Sequence, residues 1–414
     1  MIVDEVAQHG TTFIFPRSPV CASSMRSYGQ FGDGTTTESC EEAALMDGFE
    51  GSPLPSLAPT VLPTPSPSTV AVSSLASSAV VGEYATYVLN EYGGVWAVGY
   101  PNCGQLGDNT HSTTGIVVPQ RVDDIIKNVV QIEAAKGTNS YGTPVVAVTD
   151  DGSLWFWPQY AMKDSGVGEE NYETLELTGF SGPVVDAAVS PGYSSTVGYS
   201  QYHHICALVS DGEGNAVECV GRNYYGQLGD GTDTDQDTPQ PVAGLPSSFN
   251  ATQVAASSYG ACTSNETHAW CWGENDHGVI GDGHDDHQYD GAKRSVVGSG
   301  TFDAPITDLQ CGDEHCCMLL ASGNMSCWGY NEYGQLGDGT TTNQNTPVVV
   351  AGLNGAIALM SVGYQSACVV TFDNELYCWV RRVVVAWSAM ITSDLDCHPP
   401  MDACACRSRT IVRQ

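Results

Sequence analysis

A ten-residue motif recurs along this chain and limits what the chain can fold into. Residues 223–232 read NYYGQLGDGT and residues 331–340 read NEYGQLGDGT; residues 102–110 carry a shorter copy, NCGQLGDNT, and residues 275–284 a worn one, NDHGVIGDGH. The first motif glycines, Gly104, Gly226, Gly278 and Gly334, are spaced by 122, 52 and 56 residues, so the longest step has room for two units. Such a period means one small supersecondary unit per repeat, each burying the apolar face that its neighbour leaves open.

Strand–turn–strand patterns accompany the motif. Residues 205–223 (ICALVSDGEGNAVECVGRN), 261–275 (ACTSNETHAWCWGEN), 316–331 (CCMLLASGNMSCWGYN) and 367–380 (ACVVTFDNELYCWV) set β-branched and aromatic residues on either side of turn formers. Two more hairpins, at residues 87–99 and 146–158, lack cysteine, which makes six between Tyr84 and Trp379. Within the motif, Gly226, Gly229 and Gly231 suit a tight connection with positive φ, and the leucine between the first two suits a core position. Gly107, Gly281 and Gly337 are the counterparts of Gly229. Asp230, with Asp108, Asp282 and Asp338 at the same place, is expected to accept backbone N–H groups inside the loop. A glycine-rich loop can also cradle phosphate, but this one has no lysine and ends on an acid, which repels an anion.

The succession of C-A-L, a D-G turn, C-W-G-x-N and x-x-G-Q-L-G-D-G-T resembles the regulator-of-chromosome-condensation repeat over residues 81–379. The resemblance implies an all-β fold, a β-propeller of four-stranded blades that numbers seven by the family's norm. Six repeats are recognisable here, an isolated motif copy (SYGQFGDGTTT, residues 27–37) stands upstream, and no copy follows Trp379. An incomplete or strained ring is therefore expected, the alternative being that residues 28–37 dock as the missing sheet. Some members of the family sense ultraviolet light with tryptophan and arginine; Trp157, Trp272, Trp328 and Trp379 share one repeat position, but the repeats hold too few arginines for that pairing, and packing is their expected role.

Four hairpins carry two cysteines each: Cys206 with Cys219, Cys262 with Cys271, Cys317 with Cys327, and Cys368 with Cys378, at separations of 13, 9, 10 and 10. The other two hairpins hold Tyr87 with Ala97 and Val146 with Phe156 at those positions, and no hairpin keeps a single thiol. Cross-strand disulfides produce such a both-or-neither rule, because facing residues at a non-hydrogen-bonded site lie about 4.5 Å apart at Cα. Buried free thiols and metal ligation are the rival readings; the first predicts singletons, and structural zinc favours shorter C-x-x-C spacings. Cys21, Cys40, Cys103, Cys311, Cys316, Cys397, Cys404 and Cys406 have no partner legible in the sequence. Three sequons, at Asn250, Asn265 and Asn324, fit a secretory history, with chance as the competing account in a chain rich in Asn, Ser and Thr.

No catalytic, cofactor or metal site is expected. His203, His204, His284, His287 and His315 invite a metal or catalytic reading, but the run HDDHQYD (residues 284–290) has no helical frame. His315, just before a strand, reads as a structural hydrogen-bonding residue. Asp230, Asp233, Asp235 and Asp237 alternate as in a calcium loop without its sixth-position glycine or twelfth-position glutamate, so solvated turn acids are the better reading. No serine occupies a G-x-S-x-G elbow. The net charge of -33, from 14 Lys+Arg against 47 Asp+Glu, opposes a nucleic-acid partner. The longest apolar run, residues 383–391, falls short of the roughly 20 residues a membrane span needs.

The organisation expected is an N-terminal segment with the stray motif copy (1–52), a Pro/Ser-rich linker (53–80), the propeller repeats (81–380) and a divergent, more basic tail expected to be disordered (381–414). The function expected is a non-catalytic, monomeric scaffold that presents loops to a protein or glycan partner. The alternative, implied by the resemblance, is guanine-nucleotide exchange on, or regulation of, a small GTPase. Paired cysteines and sequons point to an extracellular or secretory location, with the cytoplasm as the alternative; the acidic start MIVDEVAQ does not read as a secretory leader.

Overall fold

The computed structural model describes residues 76–387 apart from 83–84, 100–105, 108–115, 123–125, 137–142, 158–173, 192–202, 211, 286–293, 297–303, 354 and 381–382. The upstream motif copy at residues 27–37 and the cysteines of both termini lie outside the described residues.

Six four-stranded antiparallel sheets follow one another in chain order and form a ring, a six-bladed β-propeller. Blade 1 is β1 (Ala76–Val81), β2 (Ala85–Asn90), β3 (Val95–Gly99) and β4 (Ile116–Arg121). Blade 2 is β5 (Val129–Ala134), β6 (Val145–Thr149), β7 (Leu154–Trp157) and β8 (Leu175–Leu177). Blade 3 is β9 (Val184–Val189), β10 (His204–Ser210), β11 (Asn215–Gly221) and β12 (Gln236–Pro241). Blade 4 is β13 (Gln253–Ala256), β14 (Gly260–Ser264), β15 (Ala269–Gly273) and β16 (Arg294–Val296). Blade 5 is β17 (Ile306–Cys311), β18 (His315–Leu320), β19 (Met325–Gly329) and β20 (Gln344–Val349). Blade 6 is β21 (Ile357–Val362), β22 (Ser366–Thr371), β23 (Leu376–Val380) and β24 (Val383–Trp387).

Two boundaries differ from the sequence reading. β1 begins at Ala76, inside the segment expected to be linker, because ASSAVV ends in β-branched residues that pair with β2. The run VVVAW, expected in a disordered tail, is the outer strand of blade 6 and pairs with β23 from Leu376↔Trp387 to Val380↔Val383. A short run of β-branched residues next to an unpaired strand edge is stabilised by joining it, with or without a repeat signature.

The first strand of each blade lies innermost, and neighbouring first strands are close without sharing a hydrogen-bonded ladder. Their exposed backbone groups find partners in glutamine side chains. Gln131 of β5 accepts from the Ala187 N–H (3.0 Å) and donates to the Ala187 carbonyl (3.0 Å), while Gln310 of β17 accepts from the Val362 N–H (3.1 Å) and donates to the Met360 carbonyl (3.1 Å). Lys136, just past β5, reaches Gln310 in blade 5 at 3.2 Å, so the first strands of blades 2 and 5 converge on a common axis.

The core is divided into five buried apolar layers, each between consecutive blades from 1 to 6. Among the described residues no such layer joins blade 6 to blade 1. No described helix is long and apolar enough to cross a membrane.

Candidate interaction face

The repeated motif is an inter-blade latch. Asn223, fully buried, donates from Nδ2 to Asp230 Oδ1 (3.0 Å) and to the Thr232 and Thr234 carbonyls, and accepts from the Leu228 N–H (2.9 Å). Asp230 in turn accepts from the Thr232 N–H at 2.8 Å. Asn331, Asp338, Leu336 and Thr340 repeat this arrangement, and Asn275, Asp282 and Ile280 keep part of it. Leu106, Leu228, Ile280 and Leu336 are buried as plugs. The indole of the next blade closes the latch: Trp272 donates to the Gln227 carbonyl (2.9 Å), Trp328 to Val279 (2.8 Å) and Trp379 to Gln335 (2.7 Å). Gly229 and Gly337 have positive φ, and a Cβ on either would sit within 3 Å of the indole of Trp272 or Trp379. Gly107 faces Trp157 in the same way, while Gly104 and Asp108 lie outside the described residues. Gly226, Gly278, Gly281 and Gly334 also have positive φ. The loops thus spend their polar groups on themselves and on the neighbouring blade.

The four hairpin cysteine pairs face one another in register and are bonded in the structure, each with a Cα–Cα distance of 4.1 Å. A fifth bond, Cys311–Cys316, joins β17 to β18 in blade 5. The sequence reading missed it because no other repeat has cysteine at those positions.

The histidines divide by burial. His203 Nδ1 meets the Ser190 carbonyl and His204 Nε2 the Gly260 carbonyl of the next blade, both at 3.0 Å, and burial holds both rings down at about 4. His315 departs from the sequence reading: it is fully buried, but neither ring nitrogen has a hydrogen-bond partner among the described residues. Burial, with the Lys136 charge, lowers it to about 3. Its ring fills space against Gly312. Of the run at residues 284–290, His284 and Asp285 are exposed, and His287 and Asp290 lie outside the described residues.

Antiparallel strands alternate in direction, so the turns after first strands and the motif loops after third strands open on one face of the ring. The turns after second strands and the returns after fourth strands open on the other. Asn265 and Asn324 sit in turns after second strands and Asn250 in a return, so all three sequons lie on that second face. Asn250 and Asn324 are exposed; Asn265 is half-buried and its Oδ1 accepts from the Thr267 and His268 N–H groups.

Aromatic and acidic side chains gather on the first face. Tyr224, Tyr225 and Tyr259 pack edge to face at centroid distances of 5.0 and 5.1 Å across blades 3 and 4, and His277, Tyr330 and Tyr333 continue across blades 4 and 5 at 4.6 and 5.7 Å. Between them lies an acidic cleft. One part, about 340 Å³, is lined by Asp276, His277, Asp285, Asn343 and Asn345, and an adjoining part by Tyr259, Glu274, Asp276, Asp313 and Glu314. Burial, then the charges of Asp276 and Glu314, pushes Glu274 up to about 7. Glu314 is raised by burial and by Asp313, while His277 Nδ1, 2.8 Å from Glu314 Oε2, offsets part of this. Burial raises Asp313 although the Ser258 hydroxyl donates to it, and Tyr259 is raised by burial and by the same three acids. This cleft is not legible in the sequence, since its acids come from two blades, Glu274 and Asp276 from the loop after β15, and Asp313 and Glu314 from the turn after β17.

Comparison with known proteins bears on the ring as a whole. Models of the regulator of chromosome condensation (RCC1) repeat match residues 219–263, 306–335 and 322–370. The E3 ubiquitin-protein ligase HERC2 of Homo sapiens is 26% identical over 310 residues, which is 72% of this chain but 6% of that protein. The ultraviolet-B receptor UVR8 of Arabidopsis thaliana is 28% identical over 42% of this chain and 39% of its own length. The chain thus spans well under half the length of either relative. Among solved structures, Prp20p from Saccharomyces cerevisiae, described with its binding properties to Gsp1p and histones, superposes with a TM-score of 0.62 at 17% identity, covering 87% of this chain and 79% of that one. Human WBSCR16 superposes with a TM-score of 0.60 at 20% identity over 75% of this chain and 77% of its own.

Proposed function

Because the chain belongs to the regulator-of-chromosome-condensation repeat family, we propose that it is a non-catalytic scaffold whose acidic, tyrosine-rich face on blades 3 to 5 takes a Lys/Arg-bearing segment of a protein partner. The observation that carries this reading is the cluster of Glu274, Asp276, Asp313 and Glu314 beside Tyr259. Carboxylates that raise one another's proton affinity favour an added cation, and tyrosine rings receive a guanidinium or ammonium by cation–π contact. That Prp20p is described as binding histones supports the choice of a protein ligand for a ring of this shape. The sequons on the opposite face would keep glycans away from this one, and the bonded cysteine pairs support a secretory location over a cytoplasmic one.

The test is fluorescence polarisation with a labelled Lys/Arg-rich peptide and its Glu-substituted control. The basic peptide should bind, and a Glu274→Gln/Asp313→Asn/Glu314→Gln variant should lose about tenfold or more in affinity, as expected for removing desolvated interfacial charges. Because the folded Glu274 titrates near 7, binding should strengthen between pH 6 and pH 8 as its carboxylate forms. Equal binding by the variant, or binding that weakens over that pH range, would rule out this face. Regulation of a small GTPase is the alternative that the resemblance implies, and it rests on no residue-level observation in this chain.

A further inference from the structure

One of the five apolar layers differs from the others. Between blades 4 and 5 two bonded cysteine pairs meet, Cys262–Cys271 from β14 and β15 and Cys311–Cys316 from β17 and β18. Cys262 Sγ lies 3.7 Å from Cys316 Sγ, and the sulfurs of Cys262, Cys311 and Cys316 all lie within 4.8 Å of one another. All four residues are at most 2% exposed. The layers between blades 3 and 4 and between blades 5 and 6 each hold one pair, Cys206–Cys219 and Cys317–Cys327.

We propose that, in its reduced form, this layer is a metal site in which Cys262, Cys271, Cys311 and Cys316 bind one zinc ion as thiolates. Four sulfurs at a Zn–S distance of about 2.3 Å stand about 3.8 Å apart along each edge of a tetrahedron. The Cys262–Cys316 contact already has that length. The two cross-strand pairs, with Cα–Cα distances of 4.1 and 4.0 Å, hold their side chains side by side, so the sulfurs need only part to an ordinary non-bonded distance once the bonds are reduced. Cys271, bonded to Cys262 in the oxidised chain, stands outside the three-sulfur cluster and turns in as the fourth ligand once that bond is reduced. Hairpin spacing alone argued against zinc, since two cysteines in one hairpin do not make a site; the neighbouring blade supplies the other two.

Each disulfide takes two electrons and two protons from one molecule of a dithiol, which closes to its own disulfide, and leaves two thiols. The zinc ion then displaces four protons to solvent as it binds the four thiolates. The oxidised and metal-bound states are mutually exclusive, so the site loads only in a chain that has met a reducing environment.

The full chain, reduced with dithiothreitol and desalted without oxygen, is titrated with Co²⁺ as a spectroscopic stand-in for Zn²⁺. The expected result is one equivalent per chain with the sulfur-to-cobalt charge-transfer band and tetrahedral visible bands, bleached by one equivalent of Zn²⁺. Cys206→Ser/Cys219→Ser should keep these bands, and Cys311→Ser/Cys316→Ser should lose them. A second measurement does not depend on the variants: in urea that opens the buried layers, Zn²⁺ added to the reduced wild-type chain should slow iodoacetamide labelling of Cys262, Cys271, Cys311 and Cys316 relative to the zinc-free chain and leave the labelling rate of Cys206 and Cys219 unchanged. No charge-transfer band, an undiminished band in the Cys311→Ser/Cys316→Ser variant, or equal protection of all these cysteines would overturn the site.

Discussion

Gly229 and Gly231 stand two residues apart in one loop with positive φ, yet they answer to different constraints. A Cβ at Gly229 would lie 2.7 Å from the Trp272 ring, while one at Gly231 would meet nothing within 4 Å. Gly231→Ala should therefore cost only the left-handed backbone penalty, about 1–2 kcal/mol. Gly229→Ala should add the overpacking of an indole in a closed layer, a further 1–3 kcal/mol or so. Denaturant unfolding of the two variants checks this, and equal losses would mean the indole is not the constraint. Asp186 gives a second residue-scale prediction. Its carboxylate accepts from Gln131 of blade 2 at 2.6 Å and from the Val254 N–H of blade 4, and is pushed up to about 7, chiefly by burial. A carboxyl whose folded pKa exceeds its unfolded value of about 3.9 stabilises the fold fully below that value and loses this contribution as pH rises through the folded one. Between pH 5 and pH 7 the wild type should thus lose stability relative to Asp186→Asn by about 1 kcal/mol per pH unit. Parallel stability curves for the two proteins would contradict the buried titration.

At the scale of elements, each blade closes on its own hairpin and then depends on the strand that covers its outer edge. β24 has this task in blade 6, paired to β23 along all five residues. A chain ending after residue 382 should leave β23 as an exposed edge, lower the melting temperature by several degrees, and aggregate on heating more readily than the full chain. Calorimetry and light scattering read both effects, and unchanged values would show that the blade is complete with three strands. The hairpins themselves were legible in the sequence because their partners lie within 17 residues, as His204 and Gly221 do, on either side of a turn. β24 was not, since its pairing uses no repeat signature and only the geometry of a vacant edge selects it.

For the whole molecule, charge and ring geometry act together. The full chain carries a net charge of -33, and on the first face the acids of blades 4 and 5 are crowded enough to raise one another. Duplex DNA should show no measurable binding at physiological salt, since the described residues present no basic stripe to displace its counterions. Salt-dependent binding at micromolar protein in an electrophoretic mobility assay would contradict this. The two faces differ: the three sequons lie on one, and the tyrosine cluster with the raised carboxyls of blades 4 and 5 on the other.

Apart from the Cys311–Cys316 bond and the pairing of β24 with β23, contacts inside a repeat were determined by the sequence alone. The period, the six hairpins, the four facing cysteine pairs and the Asn–Asp motif loops all join residues close in the chain, where spacing and side-chain type are sufficient to define a partner. Contacts between repeats were decided by the ring. Trp272 reaches Gln227 across 45 residues, Cys262 meets Cys316 across 54, and Lys136 meets Gln310 across 174. Which residues meet at such separations depends on how each blade is rotated against the next, a quantity set by the summed packing of five apolar layers and written in no single stretch of chain. The acidic cleft and the four-cysteine layer belong to this second class, because each is assembled from turns and strands of different blades.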